Sequence, residues 1–203
     1  MIKKFLSILI LGAVSLAASA EFRWGPALGV NFSTLHWNQT IATTKMRTGF
    51  GAGVMGEVMI PGIGFGFDIG LRYNLHGAHV DFGEHKVWAV DGIENQNVWL
   101  HTLEIPLNLK FKWTRMNGFE RTLAPFIYAG PVFNFTLGTN NAPAIEKPAG
   151  NVAIQVGAGA EFFEHIQLSA GYSWGVSYQL RTIKLDNYIA SPQGAFINLT
   201  YLF

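Results

Sequence analysis

The sequence contains no cysteine, and only 13% of its 203 residues are charged. Soluble domains carry about 25% charged residues, so this chain has roughly half of the usual charge. The absence of cysteine excludes a disulfide framework and a cysteine-ligated zinc site. The formal net charge of +1 argues against a basic nucleic-acid-binding protein. Hydrophobic residues make up 49% of the chain, which excludes a disordered protein.

The first twenty residues have the pattern of a secretory signal peptide. Lys3 and Lys4 precede an apolar segment, 5–18, and residues 18–20 are Ala-Ser-Ala, a small-x-small cleavage site. The apolar segment is shorter than the about 20 residues that a membrane-spanning helix needs. We therefore predict that residues 1–20 are removed and that one domain, 21–203, begins at Glu21. An uncleaved membrane anchor is the alternative.

The rest of the chain alternates between apolar residues and polar or small ones, which is typical of β-strands with two unlike faces. In 63–75 every odd position is Ile, Phe, Leu or Tyr, and every even position is Gly, Asp, Arg or Asn. Eight such segments predict eight strands: 23–33, 47–60, 63–75, 99–113, 124–137, 151–162, 166–178 and 194–203. In the fifth segment Phe126 and Tyr128 have the opposite parity from Phe133, and a β-bulge at Gly130–Pro131 would account for the change of phase.

The polar face of these strands is mostly Gly, Ser, Ala and Asn, whereas a soluble barrel or sandwich would carry Lys, Glu, Asp and Arg on its outer face. We therefore predict that the apolar face contacts lipid and that the polar face lines the inside. The segment from Trp99 to Trp113 is long enough to cross the about 25 Å apolar band of an outer membrane. Because every backbone polar group in lipid needs a partner, the strands must close into a barrel.

Short and long connections alternate between the predicted strands. Pro61–Gly62, 114–123 and 163–165 are short, whereas 36–46, 76–98, 138–150 and 179–192 are longer. Outer-membrane barrels have short periplasmic turns and longer outer loops. The pattern predicts an all-β fold: an eight-stranded antiparallel transmembrane β-barrel with up-and-down meander topology. It places this barrel in the outer membrane of a Gram-negative bacterium, with both termini in the periplasm.

Four short segments carry a family resemblance: Leu-Glu-Ile-Pro-Leu-Asn-Leu-Lys at 103–110, Pro125 with Ala-Gly-Pro at 129–131, Gly-Ala-Gly-Ala-Glu at 157–161 and Leu-Ser-Ala-Gly-Tyr at 168–172. They resemble the small outer-membrane β-barrel family of Bacteroidota, often labelled porin-family or PorT-like, with an architecture similar to OmpX and the OmpA barrel. The resemblance covers nearly all of 21–203. It implies an outer-membrane barrel without a common catalytic residue. PorT serves type IX secretion, but no residue here singles out that role.

The chain ends in Phe203, which follows Tyr201, Leu199 and Ile197 at alternate positions. This ending is similar to the insertion signal that barrel-assembly machinery recognises as an edge strand. We expect the last strand to bind that machinery, and the outer surface to contact outer-membrane lipid and lipopolysaccharide. The sequence contains no P-loop, no dinucleotide fingerprint and no basic-aromatic face for nucleic acid.

The alternation places acidic and basic side chains inside the barrel in nearly equal numbers: Arg23, Arg47, Arg72, Lys110 and Lys112 with Glu57, Asp68, Glu104 and Glu161. Buried charges persist when they are paired, so we expect ion pairs and hydrogen bonds to fill the lumen. An eight-stranded barrel has an interior just wide enough for side chains, which argues against a wide channel. A selective narrow pore is the alternative.

Two pairings inside the barrel are expected from this arrangement. Glu104 should pair with an inward basic residue such as Arg72, Lys110 or Lys112. If Pro61–Gly62 sets the register of the hairpin, Glu57 lies opposite Gly66 and Met55 lies opposite Asp68.

A metal site is considered in the longest predicted loop, where His76, His79 and His85 occur with Asp81 and Glu84. His-x-x-His near carboxylates is compatible with zinc or copper binding, although solvated loop residues are the more ordinary explanation. We predict no metal site and no cofactor.

Catalytic residues are equally weakly indicated. Ser169 follows His165 near an inner turn, which is the wrong end of the barrel for outer-leaflet lipid A. His101 has the lipid-facing parity near the outer end, next to the inward Thr102. No Ser-His-carboxylate set is evident, and we predict that the protein is not an enzyme.

The sequence thus predicts an integral outer-membrane protein with a filled lumen and a structural or interaction role through its long outer loops. Three alternatives stay open: a narrow solute pore with porin-like transport, an accessory component of protein secretion, and an enzyme that modifies lipid A.

Overall fold

The computed structural model describes residues 21–37, 43–60, 62–81, 95–139, 145–146, 150–176, 180–182 and 189–203. The strands are β1 (Glu21–Trp37), β2 (Thr43–Met59), β3 (Phe65–Asp81), β4 (Asn95–Lys112), β5 (Leu123–Thr139), β6 (Ile145–Glu146), β7 (Gly150–Phe162), β8 (Ile166–Gly175), β9 (Leu180–Thr182) and β10 (Ile189–Tyr201). A short 3-10 turn, Phe119–Arg121, lies between β4 and β5. Within these residues, no helix has the length and apolar character needed to span a membrane.

The long strands form an antiparallel meander in the order β1-β2-β3-β4-β5-β7-β8-β10. Strand β10 also pairs with β1, from Ala27 opposite Thr200 to Trp37 opposite Ala190, and this pairing closes the sheet. The short strands β6 and β9 pair with each other, and β9 also pairs with β10. The prediction of an all-β, eight-stranded antiparallel barrel with meander topology is confirmed.

The connections differ between the two ends of the barrel. At one end, which we call the short-turn end, the connections after β2, β4 and β7 are 60–64, 113–122 and 163–165. The connection after β1, predicted to span 36–46, is only 38–42. At the opposite end, the loop end, strand β3 continues to Asp81 and β4 begins at Asn95. Residues 76–81, which were expected in a loop, therefore belong to a strand. The predicted signal peptide, 1–20, lies outside the described residues.

Side chains on the strands alternate between the outside and the lumen. On β3, Phe67 and Leu71 are 52% and 45% exposed, whereas Asp68 and Arg72 are 4% and 7% exposed. The other strands alternate in the same way, so the barrel has an apolar outer surface and a largely polar interior. This arrangement is expected for a barrel in lipid. The predicted orientation of the two faces is thereby confirmed.

The fifth strand contains no bulge at Gly130–Pro131, so that expectation is wrong. Strand β5 pairs with β7 without interruption from Leu123 opposite Phe162 to Phe135 opposite Gly150. Phe126 and Tyr128 therefore point into the lumen, where they form an apolar cluster with Phe196.

Each of these aromatic rings lies over a glycine on the adjacent strand. Phe126 is opposite Gly159, Tyr128 is opposite Gly157, and Phe196 is opposite Gly171. A Cβ atom at Gly171 would come within 2.6 Å of the Phe196 ring, and one at Gly159 within 2.6 Å of the Phe126 ring. The glycines thus provide the space that the inward aromatic rings fill.

The hairpin between β2 and β3 also departs from the expected register. Its connection is longer than two residues, with the Ile60 N–H donating to the Phe65 carbonyl at 2.8 Å. Gly62 and Gly64 have φ values of 78° and 81°, which glycine adopts without steric cost. Glu57 consequently lies opposite Asp68, not opposite Gly66 as predicted. Met55 lies opposite Gly70, not opposite Asp68.

Candidate functional site in the barrel lumen

Charged side chains from several strands meet in the lumen near the short-turn end. We call this group the basal cluster; its members are Arg23, Glu57, Asp68, Lys110, Lys112, Glu161 and Gln167. The side chains of Lys110 and Glu57 are each 1% exposed, and Arg23 at the edge is 16% exposed. Its three cations and three anions balance in formal charge.

Glu57 is the centre of the basal cluster. Its carboxylate accepts hydrogen bonds from Lys110 Nζ at 2.6 Å and Lys112 Nζ at 2.7 Å. Arg23 Nη2 donates to it at 2.5 Å and Gln167 Nε2 at 2.8 Å. A buried carboxylate requires partners of this kind, because removing an ion from water costs several kcal/mol.

Gln167 connects the ions of the basal cluster. Its amide nitrogen donates to Glu57 and Glu161, and its oxygen accepts from Lys110 Nζ at 2.8 Å. Lys112 Nζ reaches Glu161 at 2.6 Å, and Lys110 Nζ lies 3.2 Å from Asp68. The parity of Gln167 placed it inside the barrel, but a neutral amide carries no charge signal that would single it out.

A second group lies farther toward the loop end. This upper cluster comprises Arg72, Asn74, His76 and Glu104. Glu104 accepts from Asn74 Nδ2 at 2.5 Å, lies 2.6 Å from His76 Nε2, and lies 3.5 Å from Arg72 Nη2. The predicted pairing of Glu104 with Arg72 is confirmed, whereas Lys110 and Lys112 belong to the basal cluster.

The placement of His76 in the longest predicted loop, where a metal site was considered, is wrong. His76 is a strand residue that faces the lumen and contacts Glu104. The side chains of His79 and Asp81, and the whole of Glu84 and His85, lie outside the described residues. Among the residues that the structure describes, no group of three or more His, Asp and Glu side chains is arranged to hold a metal ion.

A cavity of about 60 Å³ lies beside the upper cluster, on the loop side of the basal cluster. The upper cluster lines it together with polar side chains of the facing strands: Asn31, Ser33, Asn134, Gln155, Ser173, Gln193 and Asn198. Several buried polar atoms at this cavity have no hydrogen-bond partner among the described residues: Asn31 Oδ1, Arg72 Nε, His76 Nδ1 and Asn134 Oδ1. The lumen is therefore packed at one end and hollow above it.

Arg47, the last of the predicted inward cations, contacts an aromatic ring. Its guanidinium carbon lies 4.6 Å from the centroid of the Trp99 ring. This distance is within the range of a cation–π interaction. Arg47 thus joins β2 to β4 without being part of the basal cluster.

The residues considered for catalysis, His165, Ser169 and His101, contact other residues and not one another. His165 is exposed in a turn and packs its ring on Tyr201 at 5.8 Å, whereas Ser169 faces the lumen. His101 Nδ1 lies 2.5 Å from the Tyr73 hydroxyl on the outer surface. Thr102 points inwards and donates to the Asn74 carbonyl at 3.2 Å.

The C-terminal residues close the short-turn end. The Phe203 N–H donates to the Trp24 carbonyl at 2.9 Å, and the two rings lie 5.5 Å apart. The Leu202 N–H donates to the His165 carbonyl at 2.7 Å. The side chain of Leu202 is 1% exposed, whereas Phe203 is 64% exposed on the outer surface. The inward position of Leu202 was not predicted, because the lumen-facing residues expected on the last strand were Gly194, Asn198 and Thr200.

The described fold matches a known family and known structures. A family model for the outer membrane protein beta-barrel domain matches residues 16–178. The outer membrane protein OprG from Pseudomonas aeruginosa is similar with a TM-score of 0.54 and 11% identity, covering 91% of this chain and 96% of that one. Neisserial surface protein A has a TM-score of 0.46 and 12% identity, covering 89% of this chain and 97% of that one. The outer membrane enzyme PagL has a TM-score of 0.43 and 12% identity, covering 84% of this chain and 97% of that one. No curated protein matches the chain.

Proposed function

Because the chain belongs to the outer membrane protein beta-barrel domain family, we propose that it is an outer-membrane barrel that does not conduct solutes and acts through its loop end. The basal cluster is the observation that carries this proposal. Lys110, Lys112, Glu57 and Glu161 are hydrogen-bonded to one another across the lumen, with side chains 1% to 5% exposed. In an eight-stranded barrel such side chains fill the interior.

Conductance across a planar bilayer tests the filled lumen. We expect refolded wild-type protein to give no stepwise current. The double variant Lys110→Ala/Glu57→Ala removes one cation and one anion from the centre of the basal cluster, and we expect it to conduct small ions. Arg121→Ala, at an exposed pair 4.0 Å from Glu164, is the control and should stay silent. Stepwise current through the wild type would contradict the proposal.

A narrow pore is the second candidate, and the cavity above the basal cluster is the observation that favours it. A solute that entered from the loop end would reach Arg72 and Glu104 before it met the basal cluster. Transport would then require that cluster to separate. Wild-type currents with a preference for one sign of ion would support this candidate.

We propose that the loop end faces the outside and that both termini lie in the periplasm. The support is the distribution of connections between the long strands: the two longest, 82–94 and 176–188, lie at the loop end, and the shortest, 163–165, lies at the short-turn end. We further propose that residues 1–20 are a signal peptide. Intact-mass measurement of protein purified from outer membranes should give a chain that begins at Glu21.

We also propose that the last strand is recognised by barrel-assembly machinery and that the apolar outer surface contacts lipid and lipopolysaccharide. Phe203 supports this, because it is exposed on the outer surface next to Trp24. Deletion of Phe203 should lower the amount of assembled barrel in cells but leave refolding in detergent intact. Phe163→Ala, at a turn residue that is 68% exposed, is the control. If both variants assemble to the same extent in cells, Phe203 has no special role in assembly.

The relation to PorT-like barrels of Bacteroidota rests on the four sequence segments. Type IX secretion and lipid A modification are rival proposals for the role of the loop end. Cargo secretion and lipid A mass spectra in a deletion strain test them. We expect both to be unchanged.

A further inference from the structure

We propose that the cavity beside the upper cluster binds a small hydroxylated carboxylate. Arg72 holds the carboxylate group, and Asn31 accepts a hydrogen bond from the hydroxyl group. The inference goes beyond the filled-lumen function, because it concerns the hollow part of the lumen above the basal cluster.

Arg72 supplies an incompletely paired positive charge. Its side chain is 8% exposed, and its Nη2 lies 3.5 Å from Glu104. A charge-assisted N–H···O bond is about 2.7–2.9 Å long, so this contact is weak. Its Nε has no hydrogen-bond partner among the described residues. A buried guanidinium in this state favours an anionic ligand, because a carboxylate can accept two of its N–H groups.

Glu104 is not a full anionic partner for Arg72, because both of its carboxylate oxygens contact other side chains. Oε1 lies 2.6 Å from His76 Nε2, and Oε2 accepts from Asn74 Nδ2 at 2.5 Å. A ligand carboxylate can therefore bind Arg72 while these two contacts persist.

Asn31 supplies an acceptor oxygen at the cavity. Its Nδ2 donates to the Leu75 carbonyl at 3.3 Å, so its Oδ1 is the free atom of the amide. This oxygen is buried and has no partner within the described part of the chain. A plain carboxylate has no proton to donate to it, whereas a hydroxyl group has one.

Glycines on neighbouring strands leave the space for such a ligand. Gly29 and Gly194 line the cavity, and a Cβ atom at Gly29 would lie 2.4 Å from Asn198 Oδ1. The resulting cavity of about 60 Å³ is larger than the roughly 10–15 Å³ that one water molecule needs. Glycolate and lactate have the appropriate size and groups.

Isothermal titration of the refolded barrel in detergent, with glycolate as the probe, tests the site. We expect saturable binding to the wild type. Arg72→Gln should weaken it roughly 10- to 100-fold, the range for a hydrogen bond to a charged group. Ala153→Leu fills the cavity without changing a charge and should abolish binding. Ala158→Leu, on the same strand but exposed on the outer surface, should bind like the wild type.

The hydroxyl contact is tested with acetate in place of glycolate. The wild type should bind glycolate about 2- to 10-fold more tightly than acetate, the value of one neutral hydrogen bond. Asn31→Ala should lose this preference. Heat-dependent gel mobility identifies which variants are folded, and the Ala153→Leu and Ala158→Leu pair decides the test if Arg72→Gln does not fold.

Three results would overturn the proposal: no saturable binding by the wild type, full binding by Ala153→Leu, or equal binding of glycolate and its uncharged amide. None of these results bears on the proposal of a non-conducting lumen, because a barrel without a glycolate site still has its basal cluster. Conversely, if the wild-type barrel binds glycolate and also conducts ions, the glycolate site is supported and the filled lumen is contradicted.

Discussion

Glu57 and Asp68 lie directly opposite each other on β2 and β3, and Lys110 binds both. Like charges in opposed positions on adjacent strands destabilise a sheet. Here the ammonium group lies 2.6 Å from Glu57 and 3.2 Å from Asp68, so the two carboxylates are held together by the cation between them. The stability of this part of the barrel therefore depends on a residue of a third strand.

Lys110→Met should be strongly destabilising. It leaves the buried carboxylates of Glu57 and Asp68 without their shared cation, and breaking a buried ion pair costs about 3–5 kcal/mol. Arg121→Ala removes an exposed pair and should cost less than about 1 kcal/mol. Urea unfolding in detergent, followed by tryptophan fluorescence, measures both. Similar midpoints for the two variants would mean that the basal cluster contributes little to stability.

Glu104→Ala should also destabilise the barrel, by about 1–3 kcal/mol, because the buried Asn74 Nδ2 and His76 Nε2 lose their Glu104 partner. Glu104→Gln keeps an acceptor for the neighbouring donors and should cost less. Glu164→Ala, at an exposed turn residue, should change the free energy of unfolding by less than about 0.5 kcal/mol. If Glu104→Ala unfolds at the wild-type urea concentration, the upper cluster is solvated.

The alternation was sufficient to predict which charged residues face the lumen. Period two depends only on the pleat of a strand, so Glu57, Lys110 and Glu161 were assigned correctly without knowledge of strand pairing. The register of Glu57 was not predictable in the same way. It depends on the conformation of the turn, where Gly62 and Gly64 adopt positive φ and lengthen the connection.

The inward aromatic residues show a second limit of the pattern. Hydrophobicity assigned Phe126 and Tyr128 to the lipid face, because the sequence of one strand does not reveal the space on the next. That space comes from Gly159 and Gly157 on β7. A Gly-x-Gly segment on one strand and an aromatic-x-aromatic segment on its neighbour are the signal for this arrangement. It can be used only when the register between the two strands is known.

A double-mutant cycle at Tyr128 and Gly157 tests this explanation. Gly157→Ala places a Cβ against the Tyr128 ring and should cost about 1–3 kcal/mol, the usual cost of overpacking. In a Tyr128→Leu background the same substitution should cost less, with a coupling energy of about 0.5–3 kcal/mol. Ala170→Val, on the outer surface of β8, is the control. Additive effects in urea unfolding would contradict the proposed packing.

The absence of cysteine allows the orientation of the barrel to be measured with single thiols. Asn117 lies in the connection between β4 and β5 at the short-turn end, where it is exposed and has a φ of 56°. Gly83 and Asn141 lie in the connections at the loop end, outside the described residues. If the loop end faces outwards, a membrane-impermeant maleimide should label Gly83→Cys and Asn141→Cys on intact cells but not Asn117→Cys.

Asn117→Cys should become labelled once the outer membrane is permeabilised, which shows that the thiol is present and reactive. Labelling of Asn117→Cys alone on intact cells would mean that the barrel is inserted in the opposite direction. The termini and the basal cluster would then lie at the cell surface.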